Sequence, residues 1–227
     1  MDTRNVNRVP TDDWPFLYLR SASVPALNIR SIVLLGALSI TILAVASPVR
    51  RVRPNWQMFF LGAGFMLLET KSVVHMALLF GSTWFVNSVV FAAILLMILA
   101  SNVFVVMARP AKLKPYYLLL IAALVVNILV PMRWFLALPG FEKIVASCVV
   151  TFVPIFFAGI VFGTLFRESR QPDVDFGSNI AGAMLGGLAE TLSLVVGFNY
   201  LLAIALVFYA LSAVSRRSAV ASMAAAA

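Results

Sequence analysis

Apolar residues in this chain come in long unbroken runs, separated by short polar or basic bursts. A helix needs about 20 apolar residues to cross a bilayer. Windows of that length predict seven segments: Ile29–Ser47, Gln57–Phe80, Trp84–Ala108, Tyr116–Leu136, Ile144–Phe166, Phe176–Val196 and Tyr200–Val214. Pro48 closes the first and Arg109-Pro110 the third, while Pro131 and Arg133 sit near the end of the fourth and Pro154 lies inside the fifth. Connectors such as Gly81-Ser82-Thr83 and Gly197-Phe198-Asn199 are short, which makes neighbouring helices antiparallel. No stretch carries the alternation of a membrane barrel strand, and runs this long need backbone hydrogen bonds satisfied within the segment. The expected fold is therefore all-α, a polytopic transmembrane helical bundle of about seven segments. Residues 1–25 read as a polar lead-in, 26–214 as the helical domain, and 215–227 as a disordered tail ending in the low-complexity run Ala224–Ala227. The lead-in is too polar for a signal-peptide core, so the first apolar run is expected to act as its own insertion signal.

Composition sharpens this picture. Of 227 residues, 62% are hydrophobic and 11% charged. A soluble domain carries about a quarter charged residues and could not hide this much apolar surface; a bilayer can. The net charge of +8 does not point to nucleic acid, because the basic residues form no aromatic-interleaved face. They cluster instead between apolar runs, at Arg50, Arg51, Arg53, at Arg109, Lys112, Lys114, at Arg167, Arg170 and at Arg216, Arg217. With seven crossings these clusters share one side, and the positive-inside rule then predicts an external N-terminus. The single cysteine, Cys148, lies in an apolar run and reads as a small buried residue. With one histidine, a multi-histidine metal site is excluded, and no nucleotide or hydrolase motif is present. No cofactor, metal or catalytic residue is expected.

A charge at mid-membrane costs about 2.5–3.5 kcal/mol, so each one is a candidate site. Glu69, Lys71 and His75 all fall within the second segment. Lys71 projects about 200° away from Glu69 on a helix, whereas Lys71 and His75, four apart, share a face. Either Glu69 pairs with another helix, or the second segment is broken near Thr70-Lys71 or re-entrant. Glu190, fifteen residues into the sixth segment, is the second such charge. Ser178, Gly182, Gly186 and Glu190 recur at four-residue steps in the sixth segment, and Gly159 and Gly163 repeat the spacing in the fifth. Small residues at that spacing let membrane helices approach closely. Asp175 is expected to cap the sixth helix. Glu69-Thr70-Lys71-Ser72 and Glu190-Thr191-Leu192-Ser193 share Glu, Thr and Ser, which suggests a parallel internal repeat with both glutamates at similar depth. Asp12 and Asp13 are adjacent carboxylates, with nothing near them in sequence to build a pocket.

Three segments carry a family resemblance: Thr11-Asp12-Asp13-Trp14-Pro15-Phe16-Leu17-Tyr18-Leu19-Arg20, Phe60-Leu61-Gly62-Ala63-Gly64-Phe65-Met66-Leu67-Leu68-Glu69, and Gly177-Ser178-Asn179-Ile180-Ala181-Gly182-Ala183 with Gly186, Gly187 and Glu190. Over about Thr11 to Val214 the chain resembles the C-terminal membrane part of bacterial membrane-bound spermidine-synthase-like proteins. That resemblance implies helices normally paired with an aminopropyltransferase domain, whose glycine-rich loop and amine-activating aspartate match no position here. No catalytic residue carries over. The leading expectation is a non-enzymatic accessory or scaffold subunit of a larger assembly in a bacterial inner membrane. Its partners would be the lipid bilayer and other membrane subunits. A second expectation is a small transporter for a cation or polyamine, using Glu69 and Glu190. A third is an intramembrane enzyme built on Glu69, Lys71 and His75.

Overall fold

The computed structural model describes residues 11, 13–16, 19, 21–46 and 54–225, and of 42–46 and 216–225 only the backbone. The described residues form helices and no strands. They are α1 (Ala26–Ala46), α2 (Trp56–Phe80), α3 (Trp84–Ala108), α4 (Lys114–Leu129), α5 (Met132–Leu136), α6 (Gly140–Arg167), α7 (Pro172–Ala189), α8 (Ser193–Val196) and α9 (Phe198–Ala225), with a 3₁₀ turn at Glu190–Leu192 joining α7 to α8. Five stretches are long and apolar enough to cross a membrane: Trp56–Phe80, Trp84–Ala108, Gly140–Arg167, Pro172–Val196 and Phe198–Ser215. This is the architecture of an integral, multi-pass helical membrane protein. The apolar helices Ala26–Thr41 and Lys114–Leu129 are shorter.

α2 is the hub of the bundle, packing on α7 along one side and α9 along another. α7 runs parallel to it, since Asn55 meets Ser178 at one end and Thr70 meets Glu190 further along. α9 runs antiparallel, with Gln57 near Ser212 and Lys71 near Asn199. α6 completes the bundle against α3 and α4. The α2–α7 seam is close enough that a Cβ on Gly62 would collide with the Asn179 carbonyl, and one on Gly182 with the Phe59 carbonyl. At its start the seam is stitched by polar groups. The Asn55 side chain caps α2 by accepting from the backbone of Gln57 and Met58, and donates to Asp175 at 2.7 Å. Asn179 donates to the Met58 carbonyl at 3.0 Å. Nearby, Gln57, Tyr117 and Ser212 tie α2, α4 and α9 together.

The topology places Arg109, Lys112, Lys114, Arg167 and Arg170 at the end of the bundle where α2 begins. Arg167 donates there to the carbonyls of Val105 and Pro110. Arg109 itself ends α3 in the left-handed region, at φ 43°. The opposite end holds the α2–α3 turn, α5 and the start of α9.

The helices differ from the sequence reading at five places. α2 is continuous, so it neither breaks at Thr70-Lys71 nor re-enters; at 1.5 Å per residue it is about 37 Å long. Lys71 needs no break to find a partner, because its own helical face meets Asn199 of α9. The interruption falls instead at Glu190–Leu192, where the backbone tightens to a 3₁₀ turn. The fourth segment ends early: the residue before a proline is pushed out of the helical region, and Val130, extended at ψ 110°, separates α4 from α5. Asp175 is not the cap of α7, which starts at Pro172; it lies within the first turn and accepts from Asn55. α9 continues through 215–225, the stretch read as a tail.

Candidate functional site

At the end of the bundle away from the basic clusters, the polar face of α2 meets α9 and α5 across a gap rather than in close packing. Lys71 and His75 stack there, four residues apart. The N-terminal segment supplies the first wall. Gly197, at φ 98°, turns the chain between α8 and α9 in a conformation that favours glycine. The turn presents two backbone donors to Asp13: Phe198 N–H to its carbonyl at 2.9 Å and Asn199 N–H to its carboxylate at 2.7 Å. A carboxylate at the start of a long helix also meets the positive end of its dipole. Trp14, fully buried, donates its indole N–H to the Leu194 carbonyl at 2.7 Å, and Phe16 packs on Phe198. A residue before the first helix is thereby fixed beside Lys71. The ammonium of Lys71 donates to the Asn199 side-chain oxygen at 3.1 Å, giving the series Lys71–Asn199–Asp13.

The second wall comes from the gap between α4 and α5. Asn127, Pro131 and Arg133 line it. Asn127 is held by donating to the Val150 carbonyl at 2.9 Å. Phe135 presents its ring to His75 edge-on, with centroids 5.3 Å apart. Between the walls lies a cavity of about 260 Å³. It reaches the surface at the exposed residues Thr11, Pro131 and Arg133. His75 is 5% exposed and neither ring nitrogen has a hydrogen-bond partner; Lys71 is equally buried. Among the described residues no group of three histidine, cysteine, aspartate or glutamate side chains could hold a metal ion.

The other candidates sit elsewhere. Glu190 accepts a hydrogen bond from Thr70 at 3.3 Å, at the 3₁₀ turn. Glu69 is half-buried, and neither glutamate is among the residues lining the cavity. Ser178, Gly182 and Gly186 face α2, and Gly159 and Gly163 of α6 face Ser101 and Asn102 of α3. Sequence reasoning missed Asp13, Asn127, Arg133 and Asn199 as a group. Asp13 does lie in a pocket, contrary to expectation, because its neighbours come from α9 and α2 rather than from adjacent residues; Asp12 lies outside the described residues. A weak signal existed in the asparagines of two otherwise apolar helices.

The fold and cavity define a multi-pass helical membrane protein with a polar pocket at one end. No protein-family model, no curated protein and no solved structure matches the chain.

Proposed function

We propose that the protein is a membrane-embedded assembly module, an accessory or scaffold subunit related to the membrane half of spermidine-synthase-like proteins. The observation that carries this reading is α1. It packs only lightly on its own bundle: none of its residues from Ala26 to Thr41 is buried, and a Cβ added at Gly36 would just reach van der Waals contact with Leu188. Leu34, Leu38 and Ile40 are exposed around it. Helices within a membrane associate by packing, and one that packs only lightly on its own chain is free to pack on another. The basic end at Arg109, Lys114 and Arg167 would face the cytoplasm of a bacterial inner membrane, with α1 and the α4–α5 pair completing seven crossings.

Photo-crosslinking in native membranes tests this. Leu34 in α1 and Leu95 in α3 are similarly exposed, at 69% and 65%. A crosslinker at Leu34 should trap a discrete polypeptide, and one at Leu95 only lipid. Lipid adducts alone at both positions, with a chain that leaves gentle detergent as a lone monodisperse species, contradict the assembly reading.

A second reading, transport of a cation, draws support from the 3₁₀ interruption at Glu190, since helices broken at mid-membrane carry ion sites in many transporters. Flux through proteoliposomes that persists unchanged in Glu190→Gln would exclude it.

A further inference from the structure

We propose that the cavity beside Lys71 and His75 is a binding site for a small monovalent organic carboxylate, entering from the end of the bundle away from the basic clusters. The charges of the walls carry the argument. Lys71 uses one of its three donor positions, on Asn199. Among the described residues the only ion pair joins Arg167 to Glu168, so neither Lys71 nor Arg133 has a carboxylate within pairing distance. Asp13 faces the same cavity, but its carboxylate already accepts from the backbone of Asn199. Among the described lining residues, Lys71 and Arg133 against Asp13 leave one positive charge in excess. The excess lies at the rim, on the exposed Arg133, and a monovalent anion would balance it. A polyamine would add charge of the wrong sign, and a divalent phosphate would overshoot.

His75 supplies the second, independent observation. It is 95% buried, lines the cavity, and has no hydrogen-bond partner at either nitrogen. A neutral imidazole offers one donor and one acceptor. The donor suits a carboxylate oxygen, and the acceptor suits a hydroxyl carried by the same ligand. Arg133, exposed at the rim, offers the planar fork that matches a carboxylate. The volume of about 260 Å³ exceeds what a bare ion needs and fits an organic anion of a few carbons. This site is independent of the assembly role and of the glutamates at Glu69 and Glu190.

The test is calorimetric titration of the purified full chain in nanodiscs with lactate, propionate, inorganic phosphate and putrescine. Lactate and propionate should bind saturably, lactate more tightly, and phosphate and putrescine more weakly than either. Arg133→Gln, at an exposed position that does not threaten folding, should weaken lactate by about tenfold, the loss expected of one charge-assisted hydrogen bond. His75→Phe should remove the preference of lactate over propionate. Absence of saturable carboxylate binding in the parent chain, unchanged affinity in Arg133→Gln, or tighter binding of phosphate or putrescine would each overturn the proposal.

Discussion

The two halves of α2 use polar and small residues in opposite ways. In the first half, from Asn55 to Gly64, small residues remove space and polar side chains find partners. Asn55 both caps its helix and reaches Asp175, while Gln57 meets Tyr117. In the second half, Lys71 and His75 border a cavity, and His75 has no hydrogen bond at all. One helix thus holds the bundle together at one end and opens it at the other. The contrast shows why a mid-membrane charge is not by itself a site. Glu190 finds a protein partner in Thr70, while Lys71 keeps donors in reserve beside open space.

The contrast can be broken most forcefully at the seam. Gly182→Ala would drive a Cβ into the Phe59 carbonyl, a backbone group that cannot swing aside. It should cost about 1–3 kcal/mol, the usual range for overpacking, in reversible unfolding in detergent micelles. Gly177→Ala, one helix face away with nothing within 4 Å, should stay within about 0.5 kcal/mol of the parent. Equal losses at both would show that α7 is sensitive everywhere and the seam is nothing special. Next in size is Asn55→Ala. It removes a cap accepting from two backbone N–H groups and uncouples Asp175, and should cost about 1 kcal/mol by the same measurement. The smallest expected change in stability is His75→Leu. Replacing a buried side chain that makes no hydrogen bond leaves nothing newly unpaired, so stability should hold or rise slightly. A clear loss there would make His75 a structural residue and erase the difference between the halves.

Much of the scaffold was legible because length and apolarity alone specify a crossing. Trp84–Ala108 is the span read from sequence and the helix observed. The division of the fourth segment was also within reach, since Pro131 disfavours helix at Val130. What could not be read were relations set by distant residues. Lys71 finds its partner in Asn199, far along the chain, with α2 continuous. The place of Asp13 depends on a glycine turn at Gly197 and on Trp14 finding the Leu194 carbonyl. Neither relation leaves a local pattern. The 3₁₀ turn at Glu190 was likewise unsignalled, as no proline or glycine marks Glu190–Leu192.

The most direct test asks whether water reaches one half of α2 and not the other. With Cys148, the native thiol, replaced by serine, single cysteines would be placed at Lys71, lining the cavity, and at Ala63, buried in the seam. In intact cells, a membrane-impermeant thiol reagent should modify Lys71→Cys and leave Ala63→Cys untouched. Modification of both, of neither, or of Lys71→Cys only after the cytoplasmic face is exposed would contradict a cavity open at the end of the bundle away from its basic clusters.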